Sequence, residues 1–115
     1  MNLDELRVAM NAYRKAVDQE ARELKDSYLA LEKLHSLYRE LETEERALAD
    51  RVVAEWLLSD DEGLRFDALV LVDDFKIVKA VSALRELSRR LGSTTTPGAP
   101  YEQQRIDRVI RELAS

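Results

Sequence analysis

Residues 3–41 contain neither glycine nor proline, and across them apolar side chains recur every seven residues. One set of positions holds Leu3, Met10, Val17, Leu24, Leu31 and Tyr38, and its companion set holds Leu6, Tyr13, Glu20, Ser27, Leu34 and Leu41. A repeat this long meets the length criterion for a coiled coil. It weakens in the middle, where Glu20 and Ser27 fall in the seam. Two outcomes fit: one long helix, or two helices with a hinge near Gln19 to Ser27. An apolar stripe of this length needs something to cover it. Covering by the rest of the chain, folded back, is preferred over a homodimer through residues 3–41.

The remaining punctuation is equally sparse. The chain has three glycines and two prolines in 115 residues, and β-type alternation is almost absent, so the expected fold class is all-α, a helical bundle. The length suits one domain, residues 1–115: a long N-terminal helix or helical hairpin over 1–41, helical hairpins over 43–91 and a closing helix over 100–115. Cysteine is absent, which excludes disulfides and thiolate metal sites. The longest apolar run, Ala68 to Val72, is far too short to span a membrane. Met1-Asn2-Leu3-Asp4-Glu5 lacks the basic and apolar regions of a secretory signal, so a cytoplasmic protein is expected. The initial Met and the closing helix suggest a complete chain.

Thr43 to Leu58 carries a cap residue, Thr43, then Glu44 and Glu45 in the first turn and a broad apolar face including Val52, Val53, Trp56 and Leu57. Trp56 is most simply a packing residue. The next segment, Leu57 to Leu91, divides into two amphipathic stretches. Leu64, Ala68, Leu69, Leu71 and Val72 recur in the first; Ile77, Ala80, Val81, Leu84, Leu87 and Leu91 recur in the second. Asp60 or Asp61 is placed to cap the first helix and Asp73 or Asp74 the second. Gly92 is expected to end the second helix in a left-handed conformation. After the loop 93–99, Pro100 suits the first turn of a last helix, Tyr101 to Ala114, with an apolar stripe of Ile106, Val109, Ile110 and Leu113. Its outer face carries Arg105, Arg108 and Arg111, which Glu102, Asp107 and Glu112 are expected to neutralise in part.

Leu57 to Glu62 entering the segment, Leu64-Arg65 and Ala68-Leu69 in its first helix, and Ala80-Val81 with Leu84 and Leu87 in its second resemble a single HEAT-type repeat. The likeness covers residues 57–91 and departs from the pattern at Gly63 and at Asp74-Phe75. The resemblance implies an α-solenoid hairpin of the kind that stacks into macromolecule-binding surfaces and has no shared chemistry.

Charge is uneven along the chain: residues 1–41 net −1, residues 42–75 net −8 and residues 76–115 net +4. Acids at helix starts and bases in last turns account for much of this; an acidic patch would also repel nucleic acid and attract a basic partner. Little catalytic chemistry is offered. His35 is the only histidine. Glu32 and His35 have the spacing of a carboxylate-bridged metal site, but completing one would require a dimer and further acids such as Glu20. The three isolated glycines form no phosphate loop, and Ser59 to Gly63 lacks the alternation of a calcium loop. No catalytic, cofactor or metal residue is therefore assigned. The expected function is non-catalytic: an interaction module or adaptor that binds a partner protein through a helical, partly acidic surface. The alternative is a small acidic inhibitor of a nucleic-acid enzyme or toxin, and a metal-binding dimer ranks below both. Direct contact with nucleic acid would rest on the basic end alone. Expected partner-binding residues are Glu55, Phe66, Asp67, Asp74 and Phe75, with Phe75 in the turn between two helices.

Overall fold

The computed structural model describes residues 2–26 and 28–114. The chain is all-α: α1 (Leu3–Leu24), α2 (Leu29–Glu40), α3 (Thr43–Leu57), α4 (Glu62–Phe75), a single 3-10 turn (Val78–Ala80), α5 (Val81–Gly92) and α6 (Ala99–Ala114). Among the described residues there is no strand, and no helix is long and apolar enough to cross a membrane. The chain contacts define two compact units, residues 1–52 and 53–115, with the division inside α3.

In the first unit α1 begins with a reciprocal cap. The Asn2 side chain accepts the Glu5 N–H at 2.8 Å, and the Glu5 carboxylate accepts the Asn2 N–H at 3.4 Å. The stretch 3–41 resolves into two helices because α1 stops at Lys25, which adopts φ 55°. The Lys25 N–H returns to the carbonyl of Arg22 at 3.2 Å and the Asp26 N–H to that of Ala21 at 2.9 Å, closing the last turn. Ser27, placed in the seam by the heptad repeat, lies outside the described residues. The chain then folds back so that α1 packs on α2. The buried positions are Leu6, Met10, Val17 and Ala21 on α1, and Ala30, Leu34 and Tyr38 on α2. Leu24, which a continuous seam would bury, is exposed. α2 therefore lies against the stripe that a homodimer through residues 3–41 would have used.

Arg46, from α3, closes the end of α2: its Nη2 donates to the carbonyls of Tyr38 at 3.3 Å and Arg39 at 2.8 Å. Its guanidinium lies 5.1 Å from the Tyr38 ring centre. The Tyr38 hydroxyl donates to the Asp50 carboxylate. Burial first, and then this acceptor, push the Tyr38 hydroxyl well above its usual pKa.

In the second unit Asp61 caps α4, accepting the Leu64 N–H at 3.2 Å. Asp73 and Asp74 do not cap the following helix. They occupy the last turn of α4, which runs on to Phe75 and ends at Lys76 with φ 54°. The Ile77 N–H returns to the Val72 carbonyl at 3.1 Å, and both side chains are buried, so the contact that seals the helix end is apolar. α5 starts without a side-chain cap, through the 3-10 turn. Gly92 is helical and not left-handed. Its role is close approach: a Cβ there would lie 3.0 Å from the Gln103 amide nitrogen, which donates to the Ser88 carbonyl at 2.9 Å and ties α6 to α5. Leu57, Leu71, Val72, Leu84, Ile106 and Val109 are fully buried core residues of this unit.

Candidate partner-binding face

The site lies where α4 meets α6, and an ion pair positions it. Arg65 on α4 donates Nε to Glu102 Oε2 at 2.8 Å and Nη2 to Glu102 Oε1 at 3.0 Å, while Nη1 donates to the Ser59 carbonyl at 3.0 Å. The two side chains retain only 14% and 10% exposure, so this is an interior fork in which the guanidinium has three protein acceptors. Hydrogen bonding to Glu102 raises the Arg65 pKa further above its already high value. From the sequence alone, Glu102 is placed only as a partial neutraliser of the α6 arginines, not as the partner of Arg65. Its position one turn into an amphipathic helix, on the apolar side with Ile106 and Val109, was the signal that it faces inward.

The fork fixes the rotation of α6 on α4 and so sets the neighbouring residues side by side. Phe66, adjacent to Arg65, is 41% exposed, and the Arg105 guanidinium lies 5.5 Å from its ring centre. Tyr101, one turn before Arg105 on the same side of α6, is 72% exposed. Arg108, one turn further, is also exposed. The face thus combines two solvent-reaching aromatic rings with arginines. On the other side of the fork a cavity of about 350 Å³ opens between the start of α4 and the ends of α5 and α6 that adjoin the 93–98 loop. Leu58, Leu87, Asp60, Arg90 and Thr96 line it, so its surface mixes apolar groups with both signs of charge.

The five expected binding residues do not form one patch. Phe66 is exposed as expected, but Asp67 is buried at 8% exposure, because α4 turns this position inward with Ala68 and Leu71. Glu55 and Asp74 are exposed on α3 and at the end of α4. Phe75 is half-buried and is the last residue of α4, not part of a turn between helices. Phe66 and Phe75 are nine positions apart and project from opposite sides of α4. An acidic face running through Asp67 is therefore not built. At the other candidate centre, Glu32 is exposed, the His35 Nδ1 lies 2.8 Å from Arg39 Nη2, and Glu20 is paired with Lys33 at 2.7 Å. Among the described residues no group of three potential ligands is gathered. No family model matches the chain, and neither a curated protein nor a solved structure matches it.

Proposed function

We propose that this chain is a non-catalytic interaction module that binds a partner protein through the α4/α6 face. The carrying observation is the exposure of Phe66 and Tyr101 beside Arg105 on a base held by the Arg65–Glu102 fork. Aromatic and arginine side chains dominate the energetics of protein interfaces, and a rigid base lowers the entropy lost on binding. A HEAT-like hairpin over residues 57–91 and a cytoplasmic setting belong to the same proposal. One observation favours the acidic-inhibitor alternative: Asp73 and Asp74 sit at the C-terminal end of α4, where the helix dipole disfavours negative charge. The helix dipole therefore does not account for them, although Asp73 pairs with Lys76 at 3.4 Å, whereas Glu44, Glu45 and Glu62 lie in first turns that the dipole favours.

The test is capture from the lysate of the protein's own host with three baits: wild type, Phe66→Ala/Tyr101→Ala and Asp74→Lys. The expected result is a protein retained by wild type and by Asp74→Lys but lost from the double variant. Loss with Asp74→Lys alone would transfer the function to the acidic end of α4. Equal retention by all three would remove the α4/α6 face.

A further inference from the structure

We infer that the α4/α6 face takes an acidic segment of its partner, one that also carries an apolar or aromatic side chain. This rests on the protein-binding role proposed above and adds the chemistry of the partner. Along the sequence, Glu102, Asp107 and Glu112 stand beside Arg105, Arg108 and Arg111 as if to neutralise them. The fold withdraws two of the three. Glu102 turns inward to Arg65, and Asp107 accepts the Ser88 hydroxyl at 2.6 Å. Glu112 is divided between Arg108 and Lys76, at 3.9 Å from each. Arg105 and Arg111 are left with no carboxylate partner among the described residues; both are exposed on α6, and Arg105 lies over the Phe66 ring. The exposed side of α6 thus carries Arg105, Arg108 and Arg111 against the single exposed acid Glu112, on a chain of net charge −5.

Guanidinium groups held near apolar rings match carboxylates on a segment that also buries an apolar side chain. Nucleic acid fits less well. Arg105 already lies over the Phe66 ring, so that ring face is not open for a base to stack.

The test is fluorescence anisotropy with three labelled probes: a short peptide of alternating glutamate and leucine around one tryptophan, the same peptide with lysine in place of glutamate, and oligothymidine. The glutamate peptide should bind wild type, and added salt should weaken it. Arg105→Glu/Arg111→Glu should bind it at least about tenfold more weakly, and Arg105→Gln/Arg111→Gln should weaken it in the same direction. Arg85→Glu, an exposed arginine on α5, should leave it unchanged. Circular dichroism of each variant confirms that the helices persist. Absence of binding by the glutamate peptide, equal weakening by Arg85→Glu, or tighter binding of oligothymidine overturns the inference. Preference for the lysine peptide, weakened by Phe66→Ala/Tyr101→Ala, removes the acidic partner and leaves the protein-binding face standing. Failure of both peptides together with unaltered capture by that double variant removes both.

Discussion

Lys33–Glu20 in the first unit and Arg65–Glu102 in the second are ion pairs of nearly equal length, 2.7 and 2.8 Å, and each joins two helices. Their surroundings differ. The first pair is 38% and 44% exposed, and it lies over an apolar stripe that already holds α1 on α2. Water competes for both charges, so its contribution is small. The second is 14% and 10% exposed and supplies three directional bonds between α4, α6 and the chain entering α4. Burial makes it costly to break and turns it into a register pin. An ion pair in a helical protein thus acts as decoration or as a positioning device according to what surrounds it.

Removing one partner of the buried pair should have the largest effect. Glu102→Ala leaves the Arg65 guanidinium in the interior with only the Ser59 carbonyl, and a denaturant melt should show a loss of about 3 kcal/mol. Replacing both, as Arg65→Met/Glu102→Leu, should recover most of that stability. A single variant that melts like wild type would end the contrast between the two pairs. Lys33→Ala should cost less than about 1 kcal/mol in the same experiment. A loss comparable with that of Glu102→Ala would mean that exposure does not decide the strength of these pairs.

The smallest effect belongs to a third cluster, at the surface of the second unit. Hydrogen bonds from Arg89 and then Arg90 lower the Glu86 carboxyl from its ordinary 4.5 to about 2. A carboxyl whose pKa falls on folding adds stability above its unfolded pKa, and that stability is lost as the pH drops toward the folded value. Glu86→Gln should therefore melt slightly below wild type at neutral pH, and the gap should close as the pH falls from about 4.5 to about 2. A gap that is constant over this range would show that the cluster contributes nothing through ionisation.

Helix content was legible in the sequence because the signals are local. Asp61 and the first-turn acids of α3 and α4 mark starts, and the stripe of Ile106 and Val109 marks a buried face. Helix ends were harder to read. Lys25 and Lys76 both end helices in the left-handed region, a position usually given away by glycine. Without that glycine, a heptad repeat ran through one break and two aspartates were assigned to the wrong helix. Gly92 misled in the opposite sense, since its reason is the nearby Gln103 amide and not a backbone angle.

The candidate site was only partly visible for a related reason. Phe66 stood out as an aromatic residue outside the core pattern, but whether Asp67 faces water and whether Glu102 answers the arginines of α6 depend on how two helices are rotated against each other. The sequence by itself determined an all-α chain, because sparse breakers, apolar periodicity and cap residues act over one or two turns. Only the tertiary structure decided where the first long helix breaks, which carboxylates are withdrawn from the surface, and that Phe66 and Arg105, 39 positions apart, meet. Pairings between distant segments are set by packing and burial, which no local pattern encodes.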